Sequence, residues 1–405
     1  MINQKPMCRR RFLGLSAGFA SSALIPGIMK PPNLNADDSA LSFPVANGYK
    51  THVTSAWIGK GEHVNSSDLI ERTLSAATDF KWLSKGDRVL IKLSINSGNV
   101  FPATSDPWML NGLISILQKK GAGVIFVGDQ SGVADVHWTT DSKKGSSREL
   151  CKSAELMRPI ADNNAKPVFF EEAGYDGYFE TRPENAHHWK TPIWLPNILK
   201  EVDHIIYAPR ISSHIMGDIT VGMKLGVGFL REDSRRDFHS GGSDFYAMYE
   251  EVNQVPEIKS KLRLIATSGR VVLSSFGPDD GYISEPDYGL ITASEDLLAS
   301  ELLSYAWLEW NRQHETSSLY KMTMGNLTNF RSFMNRMFVK STWGDDHAPE
   351  IGNIELFRPG NIFHHPSILN YMKRMGGRPE TIDWETVNGN KDPKATTGLM
   401  KALLI

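Results

Sequence analysis

Cysteine and the short motifs that bind nucleotides or metals are what this sequence has least of. Its 405 residues include two cysteines, Cys8 and Cys151, and removal of the N-terminal segment would leave only Cys151. A single cysteine can neither close an internal disulfide nor hold an iron–sulphur cluster, so we expect neither. The chain also lacks Gly-x-Gly-x-x-Gly, the phosphate-binding Gly-x4-Gly-Lys-Ser/Thr, His-Glu-x-x-His and Cys-x-x-Cys. The standard nucleotide-binding, zinc-protease and dithiol signatures are therefore excluded.

A surplus of charge is also absent. The formal net charge is −2, so nothing in the composition indicates a nucleic-acid partner, and we expect none. Hydrophobic residues make up 40% of the chain and charged residues 22%, which is typical of a globular protein. A chain of this length can bury a sizeable core.

The N-terminus is typical of an export signal. Residues 9–13 read Arg-Arg-Arg-Phe-Leu and are followed by a stretch rich in Gly, Ser and Ala, which is too short and too glycine-rich to span a membrane comfortably. We predict a twin-arginine signal over residues 1–30, with the twin-arginine export machinery as a partner and a periplasmic or otherwise extracytoplasmic location. No clear Ala-x-Ala cleavage site precedes Pro31, so an uncleaved signal is expected to tether the protein to the membrane. Residues 31–50 are predicted to be a linker.

The chain between residues 51 and 310 is predicted to be an α/β domain. Apolar segments typical of buried strands alternate with segments of helical periodicity, which predicts a mostly parallel, Rossmann-like three-layer sheet. The predicted strands are residues 87–95, 123–129, 167–171, 202–209 and 288–293, and residues 262–273 are predicted to contain one or two strands. The predicted helices are residues 107–120, 147–156, 252–261 and 295–310. Residues 311–405 are predicted to form a mainly helical or irregular C-terminal extension that packs on this domain.

Polar side chains follow the predicted central strands. Lys92 and Asn96 lie at the end of the first strand, Asp129 and Ser131 at the end of the second, and Arg210 after the fourth. Because the carboxyl ends of parallel strands meet at one edge of a sheet, we expect these five residues to surround one crevice and bind a cofactor. A lysine within a strand is costly to bury alone, so Lys92 is predicted to pair with Asp129 or to lie at an exposed edge.

Residues 205–239 carry the densest group of reactive side chains. They read as a buried strand followed by a long polar loop that contains His214, Lys224 and His239. We predict that all three are catalytic, with both histidines as general acid/base groups or metal ligands. Lys224 is expected to bind an anionic group of the cofactor or to be a covalent attachment point. The alternative is that these histidines are structural, as lone histidines usually are.

Four segments, taken in order, resemble the domain-of-unknown-function family numbered 362. They are residues 88–132 (from RVLIKLSIN to GVIFVGDQSG), 204–230 (HIIYAPRISSHIMGDITVGMKLGVGFL), 235–239 (RRDFH) and 291–303 (ITASEDLLASELL). The resemblance implies the same α/β fold over about residues 50–310. The chain departs from the family where Leu93-Ser94 replaces a Pro-Asn pair, where Ser212 replaces a lysine two residues before His214, and where Leu225 replaces an asparagine.

The spacing of His214, Lys224 and His239 also resembles the lactate racemase family. In that family a lysine tethers a nickel-pincer nucleotide, and histidines ligate nickel or move protons. By this resemblance Lys224 is the tether, His239 a metal ligand and His214 an acid/base group, and the cofactor is a transition metal or a nickel-pincer-like nucleotide.

Three functions are consistent with these observations. The first is an exported enzyme that uses a bound metal or nucleotide-type cofactor for proton or hydride transfer on a small hydroxy acid or sugar-like substrate. The second is a non-catalytic protein that binds an anionic small ligand through Lys92, Arg210 and Lys224. The third is a metal-dependent hydrolase that uses Asp129, Asp279 and the histidines.

Overall fold

The computed structural model describes most of the chain between residues 44 and 403. The described residues are 44–62, 66–133, 135–214, 216–239, 241, 244–275, 277–317, 320 and 362–403. The predicted signal over residues 1–30 and most of the predicted linker lie outside this part of the chain. No helix of the described residues is long and apolar enough to cross a membrane.

Fifteen strands are formed by the described residues. In chain order, β1 to β15 are Lys50–Gly59, Arg88–Lys92, Val124–Asp129, His137–Trp138, Lys143–Lys144, Lys166–Phe169, Tyr178–Thr181, Ile193–Pro196, His204–Tyr207, Arg210–His214, Asp218–Thr220, Leu262–Leu273, Ile283–Ser284, Tyr288–Ser294 and Thr381–Thr386.

Twelve α-helices accompany these strands in the described part of the chain. In chain order, α1 to α12 are Ser66–Ala77, Pro107–Lys119, Ser147–Ser153, Met157–Asp162, Ile198–Glu201, Gly222–Leu225, Glu232–His239, Phe245–Glu251, Pro256–Lys259, Leu297–His314, Pro366–Arg374 and Pro393–Ala402. Short 3₁₀ turns occur as well, and one of them, Gly226–Phe229, follows α6 directly.

One large mixed sheet organises the domain. Its main path runs β15-β1-β14-β12-β9-β2-β3-β6. The pairs from β12 to β6 are all parallel, whereas β14 is antiparallel to both of its neighbours. The fold is therefore α/β with a mostly parallel sheet, as the sequence predicted. The carboxyl ends of β2, β3, β9 and β12 lie at one edge of this sheet, where ligands of open α/β sheets bind.

The alternation of side chains along the strands divides the core into two layers. On β2, Val89 and Ile91 belong to the apolar layer that α1 and α2 cover. Leu90 points to the other layer, which α8 and α10 cover. Helix α2 begins with Pro107 in its first turn, and the Asp106 carboxylate accepts a hydrogen bond from the Trp108 amide. A carboxylate cap and a proline in the first turn both favour the start of a helix at this point.

The largest correction concerns residues 210–239, which the sequence predicted to be a long polar loop. In the structure they form β10, β11, α6 and α7, and most of their side chains are buried. Two other predictions were imprecise. The predicted helix over residues 252–261 is interrupted at Val255, just before Pro256, because proline cannot supply a backbone donor within a helix. The predicted strand over residues 167–171 ends at Phe169.

The sequence did not predict the strands at one edge of the sheet. β1 pairs with β14, and β15 pairs in parallel with β1. β15 belongs to the segment predicted as an extension, so that segment extends the sheet of the α/β domain as well as packing on it. The end of the predicted linker is also held, because Val45 forms a bridge with Arg378.

Candidate functional site

A cavity of about 100 Å³ opens at the carboxyl edge of the parallel strands. Its walls come from the ends of β2 and β3, from residues 214–239 and from the loop after β12. Six of the residues predicted from the sequence line it, namely Lys92, Asn96, Asp129, His214, Lys224 and His239. The remaining polar lining residues are Ser94, Gln130, Thr220, Arg235 and Asp279.

A buried ion pair forms the floor of the cavity. Nζ of Lys92 lies 2.5 Å from Oδ1 of Asp129, so the predicted pairing is confirmed, and the two residues are only 0% and 3% exposed. The Asp129 carboxylate also accepts hydrogen bonds from the amides of Gln130, at 2.7 Å, and Ile95, at 2.8 Å. Burial lowers the pKa of Lys92, and the Asp129 carboxylate opposes this shift. The pair therefore joins the ends of β2 and β3 and fixes the loops that follow them.

A glycine explains how the 3₁₀ turn after α6 approaches this pair so closely. A Cβ atom on Gly228 would lie 2.2 Å from Nζ of Lys92 and 2.3 Å from Oδ1 of Asp129. Any larger residue at position 228 would therefore collide with the ion pair. The ring of Phe229, next in sequence, lies 5.2 Å from the Lys92 ammonium, a distance at which a cation and an aromatic ring attract each other.

His214 is held in one orientation by the turn that follows it. Its Nδ1 accepts hydrogen bonds from the amides of Met216 and Gly217, both at 3.0 Å. The carbonyls of the same turn are held by the Tyr246 hydroxyl, 3.1 Å from the Met216 oxygen, and by Nε2 of His365, 3.3 Å from the Gly217 oxygen. Because Nδ1 is an acceptor, the neutral His214 ring carries its proton on Nε2. Burial and the neighbouring cation of Lys224 hold the pKa of His214 well below its usual value.

His239 has the opposite tautomer. Its Nδ1 lies 2.7 Å from the carbonyl oxygen of Arg235, one turn earlier in α7. A carbonyl only accepts hydrogen bonds, so Nδ1 carries the proton and the lone pair of the neutral ring is on Nε2. Two imidazoles of opposite tautomer thus line the cavity. Nε2 of His214 carries a proton and is a hydrogen-bond donor, whereas Nε2 of His239 is a hydrogen-bond acceptor.

Lys224 lies in α6 between glycines and reaches the cavity past Gly217. A Cβ atom on Gly217 would be 3.5 Å from Cε of Lys224. No hydrogen bond or ion pair joins its amine to any residue in the described part of the chain. Burial, together with the cations of Arg210 and Arg235, lowers the pKa of Lys224 to about 7. An amine with this pKa is protonated on about half of the molecules at neutral pH.

Two buried arginines hold the walls of the cavity in place, and one of them, Arg235, also lines it. Arg235 donates to the carbonyls of Gln130 and Val227, each at 3.1 Å, and to that of Ser131. Arg210 donates to the Ser94 hydroxyl and, at 3.1 Å, to the carbonyl of Pro278. Arg210 and Ser131, both predicted to bind a cofactor, do not line the cavity themselves. Their contribution is to position the wall, and Arg210 adds positive potential.

Several buried polar atoms at the cavity make no hydrogen bond within the described residues. They include the amide nitrogens of Asn96 and Gln130, Nε of Arg235 and Oδ1 of Asp279. Buried donors are normally paired, so a cluster of unpaired ones indicates a polar ligand. Burial raises the pKa of Asp279 to about 6, although the Arg210 cation opposes the shift. The donors outnumber the acceptors, which favours an anionic ligand.

The roles of Gln130 and Arg235 were not predicted from the sequence, although Asp279 was considered for a hydrolase. Gln130 directly follows Asp129 at the end of β3, a position that could have drawn attention to it. Arg235 lies in an arginine-rich segment of which Arg231 and Arg236 bind Asp233 and Glu232 instead. Nothing in the spacing distinguishes it from these two neighbours.

The residues present do not fit a nucleotide-type cofactor. The cavity of about 100 Å³ is well below the roughly 300–1,000 Å³ that pockets for larger ligands and cofactors occupy. The described residues contain no group of three or more His, Cys, Asp and Glu side chains arranged to hold a metal ion. Of the two predicted ligands, His214 uses its Nδ1 lone pair for backbone amides. The geometry therefore favours neither the metal role of His214 nor the nucleotide tether.

Comparison with known proteins places the chain in a family. The match to the family described as domain of unknown function DUF362 covers residues 89–305, and no curated protein matches the chain. Among solved structures, the lactate racemase apoprotein from Thermoanaerobacterium thermosaccharolyticum is 13% identical with a TM-score of 0.37, and the match covers 60% of this chain and 54% of that one. A protein from Thermotoga maritima is 12% identical with a TM-score of 0.36, and the match covers 53% of this chain and 52% of that one.

The chain spans about half the length of these two structures, and likenesses this weak carry no argument about function. The family match is different in kind. It extends over more than half of the chain and contains every residue that lines the cavity, from Lys92 to Asp279. The chain therefore belongs to the family described as domain of unknown function DUF362.

Proposed function

We propose that this protein is an enzyme that transfers protons on a small anionic substrate of the hydroxy-acid or sugar-acid class. The observation that carries the proposal is the amine of Lys224, which lies in the cavity without a partner among the described residues and has a pKa of about 7. A group that titrates near the working pH is suited to general acid–base catalysis. The proposal is limited to proton transfer, because titratable side chains line the cavity.

The two histidines supply the other proton-transfer groups. Nε2–H of His214 donates a hydrogen bond to a substrate oxygen that gains negative charge. Nε2 of His239 accepts a proton from the substrate, because its Nδ1 is occupied by the Arg235 carbonyl. Backbone groups fix both tautomers, so no rearrangement is required before the reaction.

Substrate binding is assigned to the unpaired donors of the cavity. The amides of Asn96 and Gln130 hydrogen-bond the carboxylate, and the buried Arg235 and Arg210 cations stabilise its charge. A cavity of about 100 Å³ restricts the substrate to a small molecule.

Hydrogen exchange tests the proposal without knowledge of the natural substrate. The protein is incubated in D₂O with a panel of small 2-hydroxy acids, 2-oxo acids and sugar acids. NMR follows the loss of the C–H signal at the carbon that bears the hydroxyl group or lies next to the ketone group. We expect exchange with wild type and a loss of roughly 10²-fold or more in Lys224→Met, because that is the usual contribution of a general acid or base. Lys119→Met, at an exposed lysine, is the matched control. A folded Lys224→Met variant that exchanges at the wild-type rate would refute the proposal.

A non-catalytic role in binding an anionic ligand is the second candidate. The unpaired donors favour it, because they are suited to bind an anion. A binding role alone does not explain why the Lys224 amine lacks a partner among the described residues. It predicts that phosphate or small carboxylates raise the thermal unfolding temperature of the protein, while no member of the panel exchanges. Exchange with any member would exclude a purely binding role.

We also propose that the protein is exported by the twin-arginine route. The support is the Arg-Arg-Arg-Phe-Leu run over residues 9–13, which this export machinery would recognise. Fractionation of cells that produce the full chain should place it outside the cytoplasm, tethered to the membrane if the signal is retained. Replacement of Arg9 and Arg10 by lysine should keep it in the cytoplasm, and an unchanged distribution would contradict the proposal.

A further inference from the structure

We propose that Lys224 is a nucleophile that forms a Schiff base with a small 2-oxo acid in the cavity. This inference rests on the proposed function and deepens it. It narrows the substrate to small acids of the tested panel that already carry a ketone or aldehyde group, and it names the lysine nitrogen as the atom that binds them covalently.

The first argument is the state of the amine. A lysine must be unprotonated and unpaired to attack a carbonyl, and a desolvated lysine beside other cations meets this condition. The Lys224 amine has no hydrogen-bond or ion-pair partner in the described residues, and the buried Arg210 and Arg235 cations lie near it. It therefore reaches the cavity with its lone pair available on a large fraction of the molecules at neutral pH.

The second argument is the contrast with two other lysines of lowered pKa. Lys92 binds the Asp129 carboxylate and the Leu93 carbonyl. Lys261 donates to the carbonyls of Leu199 and Val202, both at 2.7 Å. Both amines are thus committed to structural hydrogen bonds, whereas that of Lys224 is not. The difference indicates that Lys224 is kept available for a ligand.

The third argument is what surrounds the amine. A 2-oxo acid has a carboxylate next to its carbonyl, and the cavity offers separate groups for each. The amides of Asn96 and Gln130 lack partners within the described residues and can hold the carboxylate. His214, whose Nδ1 accepts two backbone amides, can donate Nε2–H to the carbonyl oxygen, and His239 lines the same cavity as a second imidazole.

The reaction balances without another reagent. The Lys224 nitrogen bonds to the carbonyl carbon as the carbonyl π electrons move to oxygen, to which His214 donates a hydrogen bond. His239 takes a proton from the nitrogen and passes it to the oxygen. This gives a carbinolamine that keeps one N–H bond. As the carbon–oxygen bond breaks, His239 takes this second proton from the nitrogen and gives it to the departing hydroxyl, so that water leaves with both protons of the original amine and a neutral imine remains. The resulting imine acidifies the C3–H bonds of the substrate, and His239 can remove a C3 proton and return one from solvent.

Reductive trapping tests the inference. The full-length protein is mixed with pyruvate as the probe and treated with sodium borohydride, which reduces an imine to a stable secondary amine. Intact mass and peptide mapping should show one adduct per chain, on Lys224. Lactate has no ketone group and should give no adduct. Lys224→Met should lose the adduct, whereas Lys119→Met should retain it.

A pH series adds a readout that a merely structural lysine would not show. The initial trapping rate should rise as the pH increases through about 7, because the neutral amine is the nucleophile. Circular dichroism of Lys224→Met and of Lys224→Arg shows whether each variant is folded. Lys224→Arg keeps a cation at this position but cannot form the imine, so it should also lose the adduct.

The outcomes separate this inference from the proposed function. Exchange of substrate protons with no borohydride adduct would overturn the Schiff base and leave the proton-transfer proposal standing. An adduct on Lys224 without exchange would support the Schiff base and count against proton transfer. Labelling spread over surface lysines and unchanged in Lys224→Met would overturn the inference.

Discussion

Replacement of Asp129 by asparagine should be among the most destabilising single changes that leave side-chain size unchanged. The carboxylate neutralises Lys92 at a distance of 2.5 Å and accepts the amides of Ile95 and Gln130. Asparagine keeps one acceptor oxygen but leaves a buried ammonium without a counter-charge. Loss of one partner of a buried pair costs about 3–5 kcal/mol, so we expect a decrease of that size in the free energy of unfolding.

An exposed pair of the same type is the matched control. Nζ of Lys119 lies 2.6 Å from Oε2 of Glu71, with side chains 54% and 38% exposed. The two pairs have nearly equal distances and differ mainly in burial. Because solvent screens the exposed charges, Glu71→Gln should cost less than about 1 kcal/mol.

Urea denaturation of the two variants measures the difference directly. The variant that combines Lys92→Met with Asp129→Asn should recover most of the stability lost in Asp129→Asn, because it removes the uncompensated charge. If Asp129→Asn destabilises the protein no more than Glu71→Gln, the pair does not hold the strand ends together. If the combined variant is no more stable than Asp129→Asn, an uncompensated charge is not the cause of the loss.

The remaining predictions concern the residues that position the cavity wall. Gly228→Ala should cost about 1–3 kcal/mol by overpacking, because its Cβ would lie 2.2 Å from Nζ of Lys92; wild-type stability by urea denaturation would show that the turn can move away. Glu301→Ala should cost about 1–3 kcal/mol, because Glu301 accepts the Met223 amide at the start of α6, whereas Glu301→Gln keeps an acceptor and should cost less. Burial raises the pKa of Glu301 from 4.5 to about 7, so the folded state binds more protons and the free energy of unfolding contributed by Glu301 should fall as the pH rises through this window. Thermal unfolding at several pH values should show this fall in wild type and not in Glu301→Gln.

The candidate site could be predicted in outline because its first residues lie at the ends of strands that the sequence makes recognisable. Val89 to Ile91 and Ile125 to Val127 are apolar runs, so Lys92 and Asp129 could be placed at the ends of neighbouring parallel strands. That reasoning needs only local periodicity and the rule that strands joined through a helix lie parallel in the sheet. The same reasoning missed β15, whose partner β1 is more than 300 residues away in the chain.

The sequence by itself determined the α/β class, the edge of the sheet at which the parallel strands end and six of the polar residues that meet there. Short-range patterns of apolar residues are sufficient for this, because they specify strands and helices. Only the tertiary structure decided that residues 210–239 form strands and helices and not a loop. It also decided the opposite tautomers of His214 and His239 and the absence of a partner for Lys224 among the described residues. Each of these depends on which backbone carbonyls, amides and cations lie near a side chain in space. The two tautomers depend on backbone groups two to four residues away, but in a turn and a helix that the sequence had predicted as a polar loop. The charges around Lys224 include those of Lys92 and Asp279, which are far from it in the chain, and no local pattern records such contacts.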